Sequence, residues 1–184
     1  MQRTGTNRRI VLIILYVALF AVLVAIDQLT KIYFTEKYLA EGPTEVIKGF
    51  FFFSYAENTG SAFSLLADKE WGQLFFKVIT VIALVIFVAY IVYSHKKNTK
   101  WLTFSLIVIV AGTVGNFIDR LAFSYVRDFI SFIFGNYRFP IFNIADICLV
   151  VGVIMVIIYY FFLDENAIFK KKDGKKELPS KDGE

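Results

Sequence analysis

Residues 101–120, WLTFSLIVIVAGTVGNFIDR, are uncharged from Trp101 to Ile118 and end in the charged residues Asp119 and Arg120. A helix that crosses about 30 Å of hydrocarbon needs roughly 17–25 predominantly apolar residues, and this run has that length. Three further uncharged runs of similar length lie at 10–26, 78–93 and 147–163. The sequence therefore predicts an all-α membrane protein with four transmembrane helices.

The overall composition agrees with this fold class. The chain has 184 residues, is 57% hydrophobic and has a mean hydropathy of +0.60, whereas soluble domains are about 45–50% apolar. The first run, 10–26, resembles a cleaved signal peptide because Arg8 and Arg9 precede it. It is longer than the usual 7–15 residues, and the residues before Asp27 form a poor cleavage site. We expect a retained first helix.

Basic residues near the helix ends indicate how the helices are oriented, because they favour the cytoplasmic side. They lie in the N-terminal tail, the link between the second and third runs, and the C-terminal tail, at Arg3, Arg8, Arg9, Lys96, Lys97, Lys100, Lys170, Lys171 and Lys172. We expect both termini in the cytoplasm, and a disordered tail at 164–184. The net charge of +4 then reflects orientation and contact with membrane lipid, and requires no nucleic-acid partner.

Two connections are expected outside the membrane, at 36–73 and 121–142. The first contains the β-branched and aromatic stretch 46–55, with four consecutive Phe residues, which predicts one or two short strands. Residues 61–66 are suited to the start of a short helix. We therefore expect a small extracytoplasmic β segment, or cradle, at the membrane interface, together with a second outer loop.

Local signals also set the helix ends. The first helix is predicted to end near Asp27, with one amphipathic turn beyond it. The fourth should start near Asn143, because Pro140 disfavours helix at the residue before it. Gly112 and Gly115 lie three apart on one face of the third helix and permit close approach of another helix.

The rare polar residues lie at the outer ends of the apolar runs, where ionisable groups are costly and usually functional. They are Asp27, Asn116, Asp119 and Asp146, while Asp128 lies in the second outer connection. A structural role accounts for several of them, because Lys31 is placed to pair with Asp27, and Arg120 with Asp119. Asp128 and Asp146 have apolar neighbours. Two such carboxylates would have raised and split pKa values, as in the aspartic proteases that activate water.

Five short motifs follow one another along the chain. They are DQLTK at 27–31, NTGSAF at 58–63, GNFIDR at 115–120, VRDFI at 126–130 and FNIAD at 142–146. Together they resemble the motif set of bacterial lipoprotein signal peptidase, also called signal peptidase II, from Asp27 through the fourth helix. Each motif alone is weak, whereas five in order on a four-helix topology are specific.

The resemblance implies an aspartic endopeptidase of the bacterial cytoplasmic (inner) membrane, which removes the signal peptide of prolipoproteins just before a diacylglyceryl-modified cysteine. It assigns catalysis to Asp128 and Asp146, within one peptidase domain at 1–163. We expect the supporting or substrate-binding residues to be Asp27, Lys31, Asn58, Gly60, Asn116, Asp119, Arg120 and Asn143. No metal or other cofactor is expected, and the partners are lipidated prolipoproteins and membrane lipid, with the enzyme a monomer.

One departure from the family pattern concerns the charge beside the proposed pair. Arg127 stands where an apolar residue is common in the family. A cation at this position would lower the pKa of Asp128 if its side chain pointed towards that carboxylate.

The residues leave three other functions open. A small transporter or channel would use Asp27, Asp119 or Asp146 as proton or cation sites, although it would place charge near the middle of the membrane. A Ser–Lys hydrolase would use Ser61 or Ser64 with Lys31. A non-enzymatic membrane scaffold is the third alternative.

Overall fold

The computed structural model describes residues 2–60, 71–165 and 167–169. It contains four long helices, α1 (Gln2–Glu41), α2 (Gly72–Lys96), α3 (Lys100–Ala122) and α4 (Ile144–Ile158), the last continued by a π-helical segment, Tyr159–Leu163. By length and composition all four are able to cross a membrane. The four predicted helices are confirmed. The helical start expected at 61–66 and most of the tail expected at 164–184 lie outside the described residues.

The third helix, α3, is the centre of the bundle and packs against each of the other three. Of its most apolar 18-residue window, 67% is buried, against 6%, 11% and 17% for α1, α2 and the α4 span. Apolar side chains on the outer helices, such as Leu29, Val85 and Val150, are exposed. Helices that are apolar all round and exposed on one side are suited to contact with lipid.

Small residues permit the close approach of α3 to its neighbours. A Cβ atom at Gly115 would lie 2.5 Å from Oδ2 of Asp27 and 3.1 Å from the Cβ of Ala145. On α4, a Cβ atom at Gly152 would lie 2.5 Å from Cγ1 of Ile109. Gly115 therefore brings α1 and α4 against α3 at the level of the polar residues, and Gly152 brings α4 against α3 farther along the bundle.

Four antiparallel strands form a sheet in the order β1 (Thr44–Ile47), β2 (Phe51–Asn58), β3 (Val126–Phe134) and β4 (Tyr137–Arg138). The strands expected within 46–55 are confirmed as β1 and β2. The strands β3 and β4, which arise from the second outer connection, were not predicted. Pairing between β2 and β3 places Ala56 opposite Asp128, so the sheet carries one proposed catalytic residue.

The first helix is longer than predicted. Instead of ending near Asp27, α1 continues for more than three further turns, because its outer part is held by tertiary contacts. Lys31 is fully buried, and the ring of Phe34 stacks on Phe53 at 4.5 Å and on Phe129 at 4.4 Å between centroids. The extension of α1 therefore packs against one face of the sheet.

Candidate active site

Polar side chains from α1, α3, α4, β2 and β3 meet at one end of the helical bundle. The structure brings together the predicted residues Asp27, Lys31, Asn58, Asn116, Asp119, Asp128, Asn143 and Asp146. Four of them, Asp27, Lys31, Asp119 and Asn143, are no more than 1% exposed. Buried polar groups are costly unless they are paired, so the partners of each group define what this site can do.

The start of α4 fixes Asp146. Asn143 is the N-cap residue, at the position predicted for the helix start. Its side-chain Oδ1 accepts a hydrogen bond from the backbone amide of Asp146 at 3.0 Å, and its backbone amide donates to Asp146 Oδ2 at 3.1 Å. This reciprocal capping box satisfies backbone groups that the first helical turn leaves unpaired. The carboxylate of Asp146 therefore has a fixed position at the helix end.

Three asparagine amides hold the carboxylates of Asp128 and Asp146. Asn143 Nδ2 donates to Asp128 Oδ1 at 2.6 Å, and Asn58 Nδ2 donates to Asp128 Oδ2 at 3.0 Å. Asn116 Nδ2 donates to Asp146 Oδ1 at 2.8 Å. Asn143 also donates to Asn116 Oδ1 at 3.0 Å. Asn143 thus contacts both carboxylates. It also forms a hydrogen bond with Asn116, whose amide holds Asp146.

The carboxylate of Asp128 lies outside the membrane-spanning helices and is 2% exposed. Burial raises its pKa to about 7, and the neighbouring charge of Asp146 acts in the same direction. The amides of Asn58 and Asn143 and the cation of Lys31 oppose this rise in pKa. Asp128 therefore gains and loses its proton close to neutral pH, as a general acid or base requires.

A buried lysine, Lys31, supplies positive charge close to the carboxylates of Asp128 and Asp146. Lys31 Nζ lies 2.9 Å from Asp27 Oδ2 and 3.5 Å from Asp119 Oδ2, and it donates to Asn116 Oδ1 at 2.9 Å. The predicted pairing of Lys31 with Asp27 is confirmed. Because Lys31 contacts the oxygen of the Asn116 side chain, the nitrogen of that amide faces Asp146.

Asp27 also fixes α4. Its Oδ1 accepts a hydrogen bond from the backbone amide of Ala145 at 2.9 Å. Carboxylates near a helix N-terminus are stabilised by the unpaired amides and the helix dipole. Asp27 therefore joins α1 to the same helical turn that carries Asp146.

The predicted pairing of Asp119 with Arg120 is wrong. Asp119 forms its ion pairs with Arg127 and Lys31 instead, because its side chain faces the bundle interior. The guanidinium of Arg120 lies over the ring of Phe76, 5.5 Å from its centroid. It remains within electrostatic reach of Asp128 and Asp146.

The side chain of Arg127 does not face Asp128, although the two residues are adjacent. It binds Asp119 through two nitrogens, at 2.7 and 3.1 Å, and donates to Gln28 Oε1 at 3.0 Å. Successive side chains of a strand point to opposite faces, which separates Arg127 from Asp128. The condition under which Arg127 would lower the pKa of Asp128 is therefore not met. Neither Gln28 nor Arg127 was among the predicted site residues.

Asn58 is positioned at the end of β2 by a local turn. The backbone amide of Gly60 donates to Asn58 Oδ1 at 3.1 Å, which leaves the amide nitrogen of Asn58 directed at Asp128. Gly60 is buried. Ser61 and Ser64, the nucleophiles of the Ser–Lys alternative, lie outside the described residues. Lys31, the base of that alternative, is engaged in ion pairs with carboxylates.

Four apolar helices around a buried, hydrogen-bonded group of carboxylates, amides and one lysine define the class: a multi-pass membrane protein with a site suited to acid–base chemistry. Comparison with known proteins narrows this class. Residues 19–162 match the family described as signal peptidase (SPase) II. The chain belongs to this family of bacterial membrane proteases.

Individual relatives agree with the family match. The chain is 43% identical to a lipoprotein signal peptidase of Enterococcus faecalis over 164 residues, covering 89% of this chain and 97% of that protein. It is 39% identical to a lipoprotein signal peptidase of Listeria welshimeri over 149 residues, 81% of this chain and 94% of that protein. A solved structure of a bacterial membrane enzyme matches with 34% identity and a TM-score of 0.68, over 87% of this chain and 94% of that one. The resemblance stated from the five motifs is confirmed.

Proposed function

We propose that the protein is an aspartic endopeptidase that removes the signal peptide of prolipoproteins by cutting just before a diacylglyceryl-modified cysteine. Asp128 and Asp146 are its catalytic pair. The observation that carries the proposal is the position of Asn143, which donates to Asp128 and caps the helix turn that presents Asp146. The relatives named lipoprotein signal peptidase support the substrate class.

The two carboxylates share one proton. Two like charges in a buried site cannot both be ionised without a large cost, so one acid stays neutral while the other is charged. The pKa of Asp128, raised to about 7, supports a group that can hold the shared proton or release it near neutral pH. Asp146 accepts hydrogen bonds from the side chain of Asn116 and from the backbone amide of Asn143.

The reaction proceeds without a covalent enzyme intermediate. The ionised carboxylate takes a proton from a water molecule as its oxygen bonds to the scissile carbonyl carbon, and the neutral acid donates its proton to the carbonyl oxygen. The carbon–nitrogen bond of the resulting tetrahedral intermediate then breaks: the carboxyl group that took the water proton gives it to the leaving nitrogen, and one hydroxyl of the intermediate returns its proton to the other carboxylate as the new carboxyl group forms. General acid–base help of this kind accelerates a reaction by roughly 10²–10⁴-fold.

The remaining polar residues keep this pair in its working geometry. Asn58, Asn116 and Asn143 hold the carboxylates by direct hydrogen bonds, so little reorganisation is needed when charge moves. Lys31 fixes Asn116. Arg120 supplies a positive charge within reach of both carboxylates and the substrate.

The architecture suits a substrate that is itself embedded in the membrane. The signal sequence lies as a helix beside the spanning helices, while the acyl chains of the modified cysteine stay in lipid. The aromatic stretch 50–53 rests at the interface as part of the cradle above the site. With basic residues at the opposite end of the bundle, the termini are cytoplasmic and the catalytic pair lies near the outer face.

A cleavage assay tests the substrate class. The purified full chain is incubated with a diacylglyceryl-modified prolipoprotein and, in parallel, with the same prolipoprotein carrying an unmodified cysteine. We expect product masses that place the cut directly before the cysteine, with the modified substrate strongly preferred. Equal cleavage of both substrates, or a cut elsewhere, would contradict the proposal.

The Ser–Lys alternative is separated from the aspartic mechanism by two variants. Ser61→Ala and Ser64→Ala remove the only two hydroxyls proposed for that mechanism and should leave cleavage of the modified substrate unchanged. Loss of activity in either variant, with the folded protein retained, would favour a serine nucleophile.

A further inference from the structure

The bundle contains an apolar cavity at the end opposite to the carboxylates, between α1, α2 and α3. Its volume is about 390 Å³. Apolar side chains that line it are Ile13, Val17, Phe20, Ile91, Ile107 and Val110. Of the residues of α3 that line it, Val110 is nearest to Asn116 and lies six residues before it, which corresponds to about 9 Å along the helix. The cavity is thus separate from the proposed catalytic pair.

The mouth of this cavity is polar and basic. His95 lines both this cavity and a smaller adjoining one; Lys96 lines the larger cavity, and Arg9 and Lys100 line the smaller one. Residues 1–26 and 71–118 contain no Asp or Glu. Among the described residues, neither Arg9 nor Lys100 takes part in a salt bridge. Positive charge at the mouth is therefore not neutralised by the helices that form it.

The shape and charge of this cavity determine what can fill it. An acyl chain is much narrower than an α-helix, which is about 10–12 Å wide with its side chains, and it can lie between packed helices. The positively charged first region of a signal peptide would be repelled by the basic mouth. Basic pockets between transmembrane helices bind the head groups of anionic lipids. Charge complementarity thus favours a lipid with a phosphate head group and an acyl tail.

We propose that this cavity is a binding site for an anionic phospholipid, with one acyl chain between α1, α2 and α3 and the phosphate beside Arg9, His95 and Lys100. Tyr16 supports the mouth, since its hydroxyl donates to the Lys100 carbonyl at 3.4 Å and its ring packs edge-on against His95. The site goes beyond the proposed peptidase function, because none of these residues belongs to the catalytic machinery. A bound lipid would join the N-terminal half of α1 to the end of α2.

Native mass spectrometry of the delipidated full chain tests the site. The chain is titrated with phosphatidylglycerol and, separately, with phosphatidylcholine of identical acyl chains. We expect one retained phosphatidylglycerol, bound about 10- to 30-fold more tightly than phosphatidylcholine, as two basic residues near a phosphate imply. Equal retention of both lipids would overturn the proposal. A bound mass equal to a second copy of the chain, in place of the lipid, would also overturn it.

A matched pair of double variants separates a built site from general positive charge. Arg9→Gln with Lys100→Gln should lose the preference for phosphatidylglycerol. Arg8→Gln with Lys97→Gln removes the same charge at the same end, at residues that line neither cavity, and should keep the preference. An equal loss in both double variants, or no loss in the first, would overturn the proposal.

Discussion

Replacing Asn143 with alanine removes the amide that links the two proposed catalytic carboxylates. Asn143 is fully buried, and its side chain both accepts and donates hydrogen bonds. It accepts from the Asp146 amide, and it donates to Asp128 at 2.6 Å and to Asn116 at 3.0 Å. The substitution therefore affects the helix cap and the position of Asp128 together.

The magnitudes of these two effects differ. Loss of an N-cap side chain costs about 1 kcal/mol of folding stability, and loss of a hydrogen bond to a charged group costs about 1.5–3 kcal/mol. If the second loss is felt fully in the transition state, it corresponds to roughly 10- to 150-fold in kcat/KM. The amide of Asn143 also opposes the raised pKa of Asp128. Without it that pKa rises further, and the high-pH limb of the activity profile should move to higher pH.

Asn143→Ser is the matched control for Asn143→Ala. A serine hydroxyl still caps the helix, but it lacks the amide that reaches Asp128. Thermal unfolding in detergent and kcat/KM for a diacylglyceryl-modified prolipoprotein are measured for both variants. We expect similar losses of activity, with Asn143→Ser more stable by about 1 kcal/mol. Wild-type activity in Asn143→Ser would contradict the prediction, because it would show that the hydrogen bond from Asn143 to Asp128 does not contribute to catalysis.

Three further predictions concern the surrounding charges and packing. Lys31→Met leaves the buried carboxylate of Asp27 without its cation and leaves Asp119 with Arg127 alone, and it should destabilise the fold by about 3–5 kcal/mol; an unchanged unfolding midpoint in detergent would contradict this. Gly115→Ala places a Cβ atom 2.5 Å from Asp27 Oδ2 and should cost about 1–3 kcal/mol in the same measurement; wild-type stability would show that α1 moves freely. Because the pKa of Asp128 is raised to about 7 from an ordinary 3.8, the folded state binds its proton more tightly, so the stability contributed by this group is present below pH 3.8, falls as pH rises, and is lost above about 7. The kcat/KM profile should fall as pH rises above about 7, where the shared proton is lost, and activity that keeps rising there would contradict a shared proton.

The four helices could be predicted from sequence because their apolar runs have the length that a membrane requires. The start of α4 could be predicted from Pro140 and Asn143, which act locally. The strands β3 and β4 could not, since Val126–Phe134 becomes a strand through pairing with β2, more than sixty residues earlier in the chain. Local signals also placed the end of α1 too early, because its outer turns depend on the ion pairs of Lys31 and on aromatic stacking against the sheet.

The site residues were predictable as a set but not in their pairings. The polar residues of the site were identified by their position at the ends of the apolar runs and by the five motifs. The partner of Asp119 could not be predicted, because helical spacing offered Arg120, while the turn between α3 and β3 brings Arg127, eight residues later, back to it. Gln28 and Arg127 were missed for the same reason. The alternation of Arg127 with Asp128 along β3 becomes visible only once the strand is known.

Asp128 and Asp146 are proposed to activate the attacking water together. The rate of prolipoprotein cleavage by purified Asp128→Asn and Asp146→Asn tests this role. A matched control is Glu57→Gln, which makes the same change at an exposed carboxylate of β2. We expect both aspartate variants to fold and lose cleavage, while Glu57→Gln keeps wild-type activity. Substantial cleavage by either folded aspartate variant would contradict it.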